Sequence, residues 1–172
     1  MILLRRMSYY WNKGTEIIKS IESRYREDVE RSRDIGIVKA LAIQINSAYN
    51  VFQFYACRES LPYIPPKEQK KKLTMMRNIV RKEIQNSLSL RELCRKDPRL
   101  GFHSEAGGYK YSPEKLQSRA ESLKKLFATE FVEVQHTIEK GEKLFPEYTG
   151  MNPQGNSFSP FSMVCCTSTN SV

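Results

Sequence analysis

The chain has no Cys-x-x-Cys pair and only two histidines. Its four cysteines, Cys57, Cys94, Cys165 and Cys166, have no histidine at ligand spacing, which argues against a metal site. No zinc-finger, RNA-recognition or phosphate-loop pattern occurs, and no segment alternates apolar and polar residues as a half-buried strand would. Long apolar runs are missing too. The opening MILLRRM is short and runs into YYWNKG without a small-residue cleavage site, so it reads as neither a signal peptide nor a membrane span. The last Lys or Arg is Lys143, beyond which the composition shifts to Asn, Pro, Gly, Ser and Thr. Residues 150–172 are therefore expected to form a disordered tail, and the adjacent Cys165 and Cys166 have no basic neighbour to activate them.

What is present is helical patterning over 172 residues, a length suited to one domain. Apolar or small residues recur at Leu4, Met7, Trp11, Gly14, Ile18, Ile21 and Tyr25 in steps of three and four, which predicts a first helix with one buried stripe. No Ser, Thr, Asp or Asn precedes it as a cap, and this uncapped opening is read as the sign of a fragment. Asp34 is the expected cap of a second helix striped by Val38, Leu41, Ile45, Ala48, Phe52 and Tyr55 and ending near Ser60. The prolines of LPYIPP forbid continuation. A third helix follows from about Pro66 to Lys96, striped by Leu73, Met76, Val80 and Ile84 and stopped by Asp97-Pro98. Ser112, Pro113 and Glu114 form a strong start for a fourth, with Leu116, Ala120, Leu123, Phe127, Phe131, Val134 and Ile138 as its stripe and Gly141 as its stop. The expected fold class is all-α: an antiparallel bundle of about four long helices over residues 1–149, with a structured loop between helices three and four. Cys57 and Cys94 fall in apolar helical patterns and are expected to be reduced core residues.

Lys and Arg outnumber Asp and Glu by 28 to 19, a formal charge of +9. The cations are interleaved with acids, as in KSIESRYREDVERSRD, which is the pattern of solvated helix faces rather than of a nucleic-acid stripe. Tyr9, Tyr10 and Trp11 are consecutive on the first helix and cannot all face one side, so part of that group is available to a neighbouring domain or to a second copy. Lys70, Lys71 and Lys72 lie near the positive end of the third helix, where solvation is the simplest account.

The loop DPRLGFHSEAGGYKYS is the one segment rich in groups that recognise ligands. Its glycines permit a tight path, Arg99 can clamp a carboxylate or a diol, His103 and Glu105 can exchange protons, and Tyr109 and Tyr111 offer flat faces tipped with hydroxyls. These are sugar-binding side chains. They are also anchors, since Phe102 and the tyrosines can pack on the bundle and Arg99 can cover helix-end carbonyls. Asp97 and Glu105 are a carboxylate pair of the type used in glycoside cleavage, but spacing in sequence does not fix their separation, and no residue is assigned a catalytic role.

The run DPRLGFHSEAGGYKYSPEKL, with RELCRKD before it, resembles the C-terminal helical region of alpha-glucuronidase-like, glycoside-hydrolase-type carbohydrate-active bacterial proteins. The similarity covers roughly twenty residues, and Gly107 stands where that pattern carries an acidic residue. The resemblance implies a parent with a separate catalytic barrel domain, a setting of polysaccharide degradation, and Arg99, His103, Glu105, Tyr109 and Tyr111 as substrate-binding residues toward an oligo- or polysaccharide. It implies no cofactor and no membrane partner. The alternative is a free-standing basic helical module that binds an acidic protein or nucleic acid; self-association through Tyr10 and Trp11 is a third course.

Overall fold

Five helices account for most of the described chain. The computed structural model describes residues 2–103 and 108–145, and the expected tail, 150–172, lies outside the described residues. Helix α1 spans Ile2–Glu22, α2 Val29–Ser60, α3 Pro66–Lys96, α4 Pro113–Lys125 and α5 Glu130–Lys140. Short 3-10 turns follow α1, α2 and α3, and a two-residue antiparallel ladder pairs β1 (Phe102–His103) with β2 (Gly108–Tyr109). The all-α bundle read from the sequence is the observed fold. None of the described helices is long and apolar enough to cross a membrane.

The predicted limits of α3 coincide with the observed ones because sterics fix both. Pro66 supplies a preset φ at its first turn, and the chain leaves helical geometry at Asp97, the residue before Pro98. The cap of α2 is Asp28 rather than Asp34: the Asp28 carboxylate accepts from the Arg31 backbone N–H at 3.0 Å, while Asp34 only pairs with the Arg31 guanidinium at 3.4 Å. The predicted α2 stripe also shifts. Ile35, Ala40, Ala42, Asn50 and Cys57 are buried, whereas Leu41 and Phe52 are exposed. Helix α2 lies between α1 and α3 and must satisfy both, so no single stripe describes it.

The expected fourth helix is two helices. After Lys125 the backbone tightens to 3-10 type bonds, Phe127 N–H to Lys124 O and Ala128 N–H to Lys125 O, and Thr129 takes a non-helical conformation. Phe131 N–H then reaches back to Leu126 O at 3.0 Å, and α5 begins. Gly141 ends α5 in the left-handed region at φ 68°, where its N–H and that of Glu142 satisfy the last carbonyls.

Two apolar clusters hold the bundle. The larger gathers Cys57, Leu61, Leu73, Met76, Val80, Leu123, Phe131, Ile138 and their neighbours; the smaller gathers Ala40, Leu90, Cys94 and Leu116, with Leu93, Leu100 and Tyr111 packed on it. Cys57 and Cys94 are free thiols within these clusters, and burial pushes both above the ordinary thiol range. Neither cluster contains a residue of α1. That helix packs on α2, where Leu4, Trp11 and Ile18 are half-buried and polar contacts join the two helices: Ser8 donates to Asn46 Oδ1 at 2.5 Å, Asn12 and Asn46 exchange amide bonds of 3.2 and 2.7 Å, and Lys39 pairs with Glu22.

Candidate functional site

The connection from α3 to α4 is stitched at its base. Asp97 ends α3 and caps the turn Pro98–Gly101, accepting from the Arg99 backbone N–H at 3.2 Å. The same carboxylate takes both forks of the Arg99 guanidinium, Nε at 2.9 Å and a terminal nitrogen at 2.7 Å. This bidentate pair holds the Asp97 carboxyl below its ordinary range and the guanidinium above its own. Asp97 is thus an ionised acceptor already in use, not a proton donor. The Arg99 side chain remains 68% exposed, its outer N–H groups facing away from the pair.

Gly101 closes the neck. Its carbonyl accepts from the Lys110 and Tyr111 backbone N–H groups at 2.9 and 3.2 Å, and a Cβ added to it would lie 2.4 Å from the Tyr111 carbonyl oxygen. Only glycine fits this approach. Gly101→Ala is expected to lower stability by about 1–3 kcal/mol, because the obstructing atom is backbone and cannot rotate away. Urea unfolding checks the cost; a variant as stable as the parent would show that the neck separates freely.

Beyond Gly101 the ladder sets Phe102 opposite Tyr109 and His103 opposite Gly108, forming a small hairpin on the bundle. Phe102 is 54% exposed, and Arg99 serves Asp97 rather than helix-end carbonyls. Tyr111 does act as an anchor: it is half-buried against Ala40, Leu90, Cys94 and Leu116, with Lys110 Nζ 5.7 Å from its ring centre. Beside it opens a shallow cleft of about 390 Å³ lined by Cys94, Arg95, Pro98, Tyr111, Ser112 and Pro113. Ser112 caps α4 by accepting from the Lys115 N–H at 3.3 Å, and hydrogen bonds at this terminus draw the Glu114 carboxyl below its usual range. Of the five candidate residues, Arg99 and Tyr111 lie on the fixed base and His103 and Tyr109 are paired into the hairpin through their backbones. The side chains of those two and the whole of Glu105 lie outside the described residues. The base offers directed N–H donors and a phenol, which suit the hydroxyls or carboxylate of a sugar; Asp97 is engaged by Arg99, and Glu105 lies outside the described residues. Among the described residues no three His, Cys, Asp or Glu side chains come together as a metal site would require.

Sequence reading missed a second polar assembly. Glu83, buried in the middle of α3, accepts from Ser47 Oγ at 2.6 Å, Asn50 Nδ2 at 2.7 Å, Asn86 Nδ2 at 2.8 Å and Arg119 at 3.0 Å. One carboxylate thereby ties α2, α3 and α4 together. A signal was available, since Met76, Val80, Glu83, Ser87, Leu90 and Cys94 alternate steps of four and three and put Glu83 and Ser87 in the apolar seam. No family model, curated protein or solved structure matches this chain.

Proposed function

We propose that this chain is a non-catalytic helical accessory domain of a glycoside-hydrolase-like protein, which packs on a catalytic domain and offers its α3–α4 connection to carbohydrate. The observation that carries the reading is the fixed base of that connection. A guanidinium locked in a bidentate pair, yet 68% exposed, is preorganised to donate its remaining N–H groups to a sugar carboxylate or to adjacent hydroxyls. The adjacent cleft is open rather than deep, as suits a surface that contributes to a site completed by a neighbouring domain.

The test is nuclear magnetic resonance titration of the full chain with a uronic-acid-bearing oligosaccharide. Backbone signals of Arg99, Lys110 and Tyr111 are expected to shift, with Arg99→Ala weakening binding by about tenfold or more. The chain alone is expected to release no phenol from aryl glycosides. Shifts that miss these residues, or an Arg99→Ala chain that binds equally well, would leave the connection a purely structural element. Nucleic-acid binding that falls steeply with salt would favour the basic-module alternative.

A further inference from the structure

The outward side of α1 carries an apolar seam that the bundle does not use. Leu3, Met7, Tyr10, Gly14 and Ile17 follow one another in steps of four and three, the spacing of a helix that packs along its length on another helix, and half-buried Ile21 continues the register. Leu3, Tyr10 and Ile17 are 74%, 67% and 68% exposed, and Met7 is exposed as well. The adjoining positions Leu4, Ser8, Trp11, Thr15 and Ile18 are buried or half-buried, so the two sides of α1 differ in how much the bundle covers them. The bundle holds this helix by a mixed side, on which half-buried Leu4, Trp11 and Ile18 stand with buried Ser8 and half-buried Thr15, and leaves Leu3, Met7, Tyr10 and Ile17 outward.

Two further observations describe what would cover it. At mid-seam, between Tyr10 and Ile17, a Cβ placed on Gly14 meets nothing within 4 Å. A glycine inside a helix weakens it relative to alanine, and no contact among the described residues calls for one here. The open notch admits the side chain of an approaching helix. Along the free edge of the seam lie Arg6 and Lys13, and neither has a carboxylate at ion-pair distance among the described residues. Lys13 Nζ instead rests 4.7 Å from the Tyr9 ring centre, which keeps its charge at the rim. A second copy is a poor occupant. The antiparallel pairing that would seat Tyr10 over Gly14 also brings the two Lys13 side chains face to face.

We infer that the outward seam of α1 docks an amphipathic helix whose apolar stripe is flanked by Glu or Asp, with a seam residue of that helix entering the Gly14 notch. Apolar contact supplies the affinity, and Arg6 and Lys13 select the acidic flank and its direction. This inference does not rest on the carbohydrate reading, since it concerns a different element and a different chemistry.

The experiment uses the full chain and two synthetic helical peptides with the same leucine seam, one flanked by glutamate and the other by lysine. Calorimetry is expected to show binding of the glutamate peptide only, weakened by raised salt. Tyr10→Ser and Ile17→Ser should each reduce it by about tenfold, with the circular dichroism of the chain unchanged. Gly14→Ala should raise the melting temperature by about 3 °C yet weaken the peptide, opposite signs that a purely structural glycine would not give. Equal binding of both peptides, binding of neither, or binding indifferent to Tyr10 and Ile17 would overturn the proposal. So would a concentration-dependent dimer of the chain abolished by Tyr10→Ser, which would assign the seam to a second copy.

Discussion

Glu83→Ala is expected to lower the unfolding free energy by about 3–5 kcal/mol, the range for removing one partner of a buried charged pair. The loss exceeds that of a single hydrogen bond because four donors converge on this carboxylate from Ser47, Asn50, Asn86 and Arg119. With the acceptor gone, the Asn50 amide is left inside the bundle without this partner and the part-exposed Arg119 guanidinium loses its carboxylate. Glu83→Gln keeps the shape and one acceptor oxygen but turns an N–H2 toward donors, and should cost about 1–3 kcal/mol. Equilibrium denaturation of both variants checks the order. A Glu83→Ala chain within about 1 kcal/mol of the parent would mean that water replaces the carboxylate without loss.

Phe131→Ala is expected to cost about 3–5 kcal/mol, and to do so mainly by releasing α5. Phe131 is buried in the first turn of that helix, its ring 5.4 Å from the Phe127 ring and its carbonyl accepting from Arg77 at 3.2 Å. The Arg77 guanidinium also lies 5.6 Å from the ring centre and donates to Gln135 at 2.8 Å, so one aromatic side chain seats both a core contact and a polar clamp onto α3. The melting temperature should fall by about 10 °C or more. Phe127→Ala, at a half-buried position, should cost clearly less. Equal losses at the two sites would show that the cluster treats them as interchangeable filling.

The contrast between what was and was not legible follows from the range of the forces involved. Pro66, the Asp97-Pro98 pair and the Ser112-Pro113-Glu114 start act within one turn, so the limits of α3 and the beginning of α4 could be read from a few letters. The α4–α5 break could not. No Gly or Pro marks Leu126–Thr129, and the stripe from Leu123 through Phe127 to Phe131 continues across it as though the helix were unbroken. Helix α2 misled in another way, because a helix with neighbours on two sides has no unique buried face. The hairpin ladder is two residues long on each side, too short for alternation to register. At the candidate site the residue types were readable, but the fork from Arg99 to Asp97 and the approach of Gly101 to Tyr111 depend on chain direction after a 3-10 turn, which composition does not specify.

Because both apolar clusters draw their members from residues beyond α1, that helix is expected to open without disrupting either of them. Lifting α1 away breaks the Ser8, Asn12 and Asn46 side-chain hydrogen bonds and one ion pair and uncovers half-buried Leu4, Trp11 and Ile18, while leaving every buried leucine of α3 in place. Backbone amides of α1 should therefore trade their protons for deuterium through an opening far shallower than global unfolding, whereas those at the centre of α3 should wait for the whole bundle to come apart.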